Sequence, residues 1–186
     1  VTRFWWVRHG PTHAKGMTGW TDLPADLSDE VRLTRLSDYL PKAPVVSSDL
    51  QRAVTTADAI ERSRPRLPND PDLRELNFGD WETRRFGDIK DEPLIRAFYE
   101  TPGDVSAPGG ECWNELCDRV NAAVERVSRN GPDVILVAHM GTILTQVQRA
   151  LGLSAYDTFA RKIDNLSVTC LSWDGVWRLE VLNHRP

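Results

Sequence analysis

Hydrophobic and polar positions along the chain fall into two alternating regimes, short unbroken apolar runs and longer stretches in which apolar residues recur every three or four positions. Arg3 to Val7 is bulky and apolar and stops at Gly10-Pro11, which predicts a buried strand running into a loop. Ser28, followed by Asp29 and Glu30, predicts a capped helix start, with Leu33, Leu36 and Leu40 at helical spacing until Pro41 ends it. Val45 to Ser47 predicts a second short strand, and Asp49 to Ser63 places Leu50, Val54, Ala57 and Ile60 on one helical face. Pro65, Pro68 and Pro71 force an extended connection, after which Leu73 to Leu76 is expected as a third, short strand.

Asn77 to Gly110 is rich in Gly, Asp and Pro and reads as a loop or cap insertion with one helix around Glu92 to Glu100. Glu111 to Asn130 is the strongest helical pattern, with Leu116, Val120, Val124 and Val127 on one stripe and Asn130-Gly131-Pro132 as its stop. Val134 to Ala138 is continuous and β-branched, as strands buried on both faces are. Thr142 to Leu151 predicts another helix. Two runs, Leu166 to Trp173 and Val176 to Leu182, are joined by Asp174-Gly175, a hairpin signal. Strands alternating with helices predict an α/β three-layer sandwich: a mostly parallel central sheet, helices on both faces and a C-terminal antiparallel hairpin.

Length and composition narrow this further. At roughly 150 residues per domain, 186 residues predict a single domain, 1–186. With 40% hydrophobic and 27% charged residues the chain is expected to be globular and not disordered. Its longest apolar run, Val134 to Ala138, falls far short of the roughly 18 residues of a membrane span. Lys and Arg number 23 against 27 Asp and Glu, for a net charge of −4 with the signs interspersed, so no nucleic-acid stripe is expected. Cys112, Cys117 and Cys170 are an odd set, and the first two sit about 7.5 Å apart along a predicted helix axis on diverging faces. A reduced, cytoplasmic chain is expected, and Val1-Thr2-Arg3-Phe4 lacks the basic and apolar regions of a secretory signal.

Ligands of open α/β sheets bind at the carboxyl ends of the strands. The first predicted strand ends in Arg8-His9-Gly10, the second leads through Ser47-Ser48-Asp49 to Arg52 in the first turn of a helix, the third contains Glu75, and the fourth ends in His139-Met140-Gly141. Two histidines, two arginines and a carboxylate therefore project toward one rim. Arginine's planar fork reaches two oxygens of a phosphate at once, helix N-termini add backbone donors, and a neutral histidine is a nucleophile at physiological pH. The arrangement points to attack on phosphorus through a covalent phosphohistidine.

Arg8-His9-Gly10-Pro11-Thr12, Ser48-Asp49-Leu50-Gln51-Arg52-Ala53 with Thr56-Ala57, Leu73-Arg74-Glu75, Gly79-Asp80-Trp81-Glu82, Pro108-Gly109-Gly110-Glu111, Ala138-His139-Met140-Gly141 and Val181-Leu182-Asn183 together resemble the histidine phosphatase superfamily, the phosphoglycerate-mutase-like fold. The resemblance implies a cofactor-independent, metal-free phosphomonoesterase acting on a small phosphorylated metabolite. It implies His9 as nucleophile, with Arg8, Arg52 and His139 holding the phosphoryl oxygens, His139 protonated or donating, and Thr12 adding a hydroxyl contact. Glu75 would protonate the leaving oxygen and then activate water. Pro11 and His13 stand where the family often has Glu and Asn, and Met140 replaces a more usual small or polar residue, departures that bear on substrate choice. Leu73 to Glu82 and the short chain are most similar to the α-ribazole phosphatase branch, which implies α-ribazole phosphate as a candidate substrate.

Other readings compete at several positions. A phosphoglycerate mutase would use the same phosphohistidine but belongs with longer chains, and a protein that only binds a phosphorylated ligand has no use for Glu75. His9 and His13 are four apart, yet Gly10-Pro11 forbids the helix that would make them a metal pair. Trp5 and Trp6 are expected in the core. Trp20 and Trp81, in loops at the rim, are candidate walls of a substrate pocket together with His13 and Met140. Glu82 is read first as part of a structural turn, and His184 as a surface residue.

Overall fold

The computed structural model describes residues 1–186. Five strands, β1 (Thr2–Arg8), β2 (Val45–Ser47), β3 (Asp133–Ala138), β4 (Val168–Trp173) and β5 (Trp177–His184), form one sheet in the order β2-β3-β1-β4-β5. β1 and β2 both run parallel to β3, while β4 is antiparallel to β1 and to β5. The predicted three-layer α/β architecture with its terminal hairpin is the one observed.

Side-chain alternation along the parallel strands splits the core in two. Phe4, Trp6, Val134, Leu136 and Ala138 point to one face, where they meet α4 (Trp113–Val127) and α5 (Met140–Leu151). Val7, Ile135 and Val137 point to the other, against α1 (Glu30–Tyr39) and α2 (Gln51–Glu61). Each fully buried Leu or Ile in these layers contributes roughly 1.5–3 kcal/mol relative to exposure. The α4–α5 layer holds 24 buried apolar residues against 13 on the opposite face. Five of these 24, Trp81, Ile89, Ile95, Phe98 and Ala107, come from the 77–110 segment, which carries two short 3₁₀ turns and α3 (Glu92–Glu100). A last short helix, α6 (Ala155–Phe159), packs against α5.

Several local expectations need correcting. Leu73 to Leu76 is not a strand: Leu73 closes a 3₁₀ turn, and the carbonyls that a ladder would use are taken by side chains, those of Asp72, Arg74 and Glu75 by the Arg119 guanidinium. Helix α1 is capped by Asp29, whose carboxylate accepts from the Arg32 amide, and not by Ser28. Helix α5 starts at Met140, because the Thr142 hydroxyl accepts from the His139 amide and closes the turn two residues earlier than the apolar pattern suggests. Trp6 is fully buried, whereas Trp5 is half-buried and donates its indole N–H to Asp133. All three cysteines are free thiols, and no helix is long and apolar enough to cross a membrane.

Candidate active site

The three parallel strands end on one rim, and their register sets what gathers there. Arg8 is the last residue of β1, paired with Ala138 at the end of β3, and the His9 amide then donates to the Ala138 carbonyl (3.1 Å). His9 and His139 are thereby neighbours, with ring centroids 5.1 Å apart. The His9 backbone is held from two further sides. Asn165 donates to its carbonyl (2.9 Å), and the next amide, that of Gly10, donates to Thr56 Oγ1, whose hydroxyl in turn donates to the Arg52 carbonyl in α2.

Hydrogen bonds fix the tautomer of His9. Its Nδ1 lies 2.6 Å from the Gly10 carbonyl, which only accepts, so Nδ1 carries the hydrogen. Arg52 Nε–H donates to Nε2 (3.3 Å), so Nε2 is an unprotonated lone pair. Burial, reinforced by the charges of Arg52 and Arg8, lowers the His9 pKa to about 3. His139 is wholly buried, and burial first, then the surrounding positive groups, push its pKa well below the ordinary imidazole value. Of the two states expected of His139, protonated or donating, this direction favours the neutral ring with one N–H to give, and neither ring nitrogen has a protein partner.

Arg52 is 1% exposed. Besides His9 it donates to the carbonyls of Thr21 (2.9 Å) and Gly19 (2.6 Å), three contacts that leave two of guanidinium's five N–H groups free. Arg8 donates to the Ile163 carbonyl (2.6 Å), and its Nε has no partner. Burial draws both arginines below their ordinary values, opposed by Glu75. Buried cations and unpartnered N–H groups around a cavity of about 250 Å³ make a seat for a dianion. Arg8, His9, Thr12, Arg52, Glu75 and Met140 all line this cavity. Thr12 Oγ1 accepts from the Ala14 amide, leaving its hydroxyl hydrogen available.

Glu75 reaches the rim without belonging to the sheet. Its carboxylate accepts from the amides of Leu76 (2.8 Å) and Gly141 (3.0 Å), the latter an otherwise orphaned donor in the first turn of α5. A Cβ at position 141 would stand 2.2 Å from Glu75 Oε1, so only glycine permits this approach. On the other side Arg119, paired with Glu111, donates to the Asp72, Arg74 and Glu75 carbonyls at 2.7–2.9 Å.

The expected substrate walls are placed differently. Trp81 is 3% exposed and packs edge-on against Phe98 inside the core, because the 79–81 turn folds inward. Trp20 donates its indole N–H to the Glu75 carbonyl (2.8 Å) and lies under the Arg74 guanidinium, so it braces the Glu75 backbone from outside the cavity. His13 turns outward onto Asp26 (2.7 Å). Glu82 accepts from the amides of Gly19 and Trp20 and from the Thr21 hydroxyl, and so shapes the same loop whose carbonyls orient Arg52. Phe78 and Tyr99, which sequence reasoning passed over, face the cavity. The Phe98-Tyr99 pair on a short amphipathic helix is a signal for Tyr99 alone.

Sheet order, a histidine at the end of β1, a second after β3 and an arginine in the first turn of α2 define a phosphate-handling α/β enzyme fold. The chain belongs to the histidine phosphatase superfamily (branch 1), matched over residues 4–185. It is 31% identical over 183 residues to the probable phosphoglycerate mutase GpmB of Escherichia coli, covering 92% of this chain and 85% of that one. Among solved structures it resembles the α-ribazole phosphatase of Shigella flexneri (TM-score 0.84, 25% identity, 99% and 97% of the two chains). A mycobacterial glucosyl-3-phosphoglycerate phosphatase is similar to the same degree (TM-score 0.84, 27% identity, 100% of each chain).

Proposed function

We propose that the protein is a phosphomonoesterase that works through a phosphohistidine on His9. The observation that carries this reading is the state of that ring, neutral, with Nδ1–H tied to Gly10 and an unprotonated Nε2 whose only partner is a 3.3 Å bond from Arg52 Nε, to be exchanged for phosphorus, at a cavity that His9, Arg8 and Arg52 line. In the first step Nε2 attacks phosphorus while the ester P–O bond breaks, and Glu75 gives its proton to the leaving alkoxide. In the second, water attacks the phosphohistidine, its proton passes to the Glu75 carboxylate, the P–N bond breaks and phosphate leaves. Arg8, Arg52 and the His139 N–H offset the charge on the transferring oxygens in both steps. Each Glu75 oxygen accepts one amide N–H and keeps a lone pair for the proton.

Rapid quenching with labelled ester should trap an acid-labile, base-stable phosphoenzyme that His9→Ala abolishes. Label retained in that variant would refute the assignment. The structural likeness to α-ribazole phosphatase supports α-ribazole phosphate as one candidate substrate. The relation to GpmB favours a second reading, a mutase, and 3-phosphoglycerate separates the two: a phosphatase releases phosphate from it or ignores it, a mutase isomerises it.

A further inference from the structure

Next to the phosphate cavity lies a second one of about 240 Å³, and the two share Glu75, Phe78, Tyr99 and Met140 as walls. Its remaining lining is apolar: Phe98, Trp113, Leu144 and Phe159 among others, drawn from α3, α4, α5 and α6. The aromatic rings stand edge to face, Trp113 on Phe159 at 4.8 Å and Tyr99 on Phe159 at 6.4 Å, a packing that keeps the walls rigid. The Trp113 indole N–H is satisfied by Gln148 (2.7 Å) and is not aimed at a ligand. Burial raises the Tyr99 pKa to about 12, so its hydroxyl stays neutral. No cationic side chain lines this cavity, and its one charged group is the Glu75 carboxylate.

Because Glu75 forms part of both walls, a phosphoryl group seated on Arg8 and Arg52 directs its leaving alcohol past Glu75 into the aromatic cavity. Resting on the phosphatase reading above, we infer that this cavity is the leaving-group site and that it selects phosphate monoesters of uncharged alcohols bearing an aromatic or other bulky apolar group. A carboxylate there would lose its water with no cation to replace it. Phosphoglycerates are therefore poor occupants, and an apolar ring gains by leaving water.

The test uses the intact protein and a panel of esters with alkoxide leaving groups, so that intrinsic reactivity is similar throughout: ethyl phosphate, glycerol 3-phosphate, 3-phosphoglycerate, 2-phenylethyl phosphate and 2-naphthylmethyl phosphate. We expect kcat/KM to rise about tenfold or more from ethyl to naphthylmethyl phosphate, with 3-phosphoglycerate at the bottom. Phe159→Arg and Met140→Lys, which bring a cation to the cavity wall, should each compress this ladder and raise 3-phosphoglycerate relative to the naphthyl ester. Met140 is 42% exposed, so its substitution leaves the core intact if Phe159→Arg fails to fold. Equal turnover of all esters, or a preference for 3-phosphoglycerate, overturns the inference while leaving the phosphatase reading in place. No phosphate release and no phosphoenzyme with any ester overturns both.

Discussion

The two adjoining cavities are built by opposite means. The cavity proposed for phosphate is charged, and most of its polar groups sit at or just beyond strand ends: β1 ends in Arg8 and leads to His9, β2 leads to Arg52, and β3 leads to His139, buried behind His9 and outside the lining. The aromatic cavity is uncharged apart from Glu75 and is assembled by four helices, two of which, α3 and α6, have only nine and five residues. A sheet end fixes backbone direction to within a hydrogen bond, whereas short helices sit where their side chains pack. On the function proposed above, chemistry common to all substrates would belong to the first region, and discrimination among leaving groups to the second.

That division is broken most easily from the charged side. Arg52→Ala removes a donor that serves the phosphoryl group itself and should lower kcat/KM by about 10²–10³-fold on every ester alike. A loss that depended strongly on the leaving group would show that the regions are not separate. Glu75, standing in both walls, should behave differently. Glu75→Gln should slow alkyl phosphates by about a hundredfold or more, yet spare nitrophenyl phosphate, whose phenolate departs without a proton. Equal losses on both would reduce Glu75 to a positional role.

The same contrast governs what the sequence reveals. Sheet and flanking helices are legible because period-two and helical apolar patterns report burial directly, as in Val134 to Ala138, where alternate residues serve opposite cores. Arg8, His9, Arg52 and His139 can be located because their positions follow from where those strands stop. Glu75 is put at the rim by a strand reading and given its role by resemblance, but the strand expected to carry it does not exist, since Arg119 and Trp20 occupy the carbonyls a ladder would need. Trp81 and Phe98 are both large aromatics of the 77–110 segment, the first expected in a loop and the second in its one helix. Only the inward fold of the 79–81 turn decides that Trp81 fills the core while Phe98 helps line the cavity.

Proton linkage sharpens the comparison in a different observable. His9 has a folded pKa of about 3 against 6.5 when exposed, so between those values the unfolded chain binds a proton that the folded one does not. Stability is then fully present above about pH 6.5 and falls as the pH drops toward 3, the unfolded state binding more protons throughout that window. For His9 alone the linkage amounts to about 2 kcal/mol between pH 7 and pH 5, and His139, shifted in the same direction, adds to it. Urea melts across this range should show the slope, and His9→Gln should flatten it. Met140→Ala, in the aromatic wall, should leave the slope unchanged. A wild-type stability that is flat from pH 7 to pH 5 would mean that the charged cavity accepts protons without cost.

The smallest effect concerns Arg119, which touches neither cavity yet holds the segment that links them. Its guanidinium donates to three backbone carbonyls, those of Asp72, Arg74 and Glu75, while Glu111 neutralises it and accepts from the Asn77 amide. Without it the Asp72 and Arg74 carbonyls lose this donor and the Glu75 carbonyl keeps only Trp20, so Glu75 gains freedom to drift from the leaving oxygen, although the Leu76 and Gly141 amides still grip its carboxylate. Arg119→Met keeps the aliphatic stem and removes the donors, and should lower kcat for alkyl phosphates by about tenfold with KM little changed, since positional errors of this kind reduce proton transfer before they reduce binding. Nitrophenyl phosphate should be nearly indifferent. If Arg119 served only to stabilise the fold, both esters would lose activity together, in step with the melting temperature. A loss confined to the ester that needs a proton would instead place Arg119 in the positioning of Glu75, the one group through which the charged and the aromatic cavities act on the same bond.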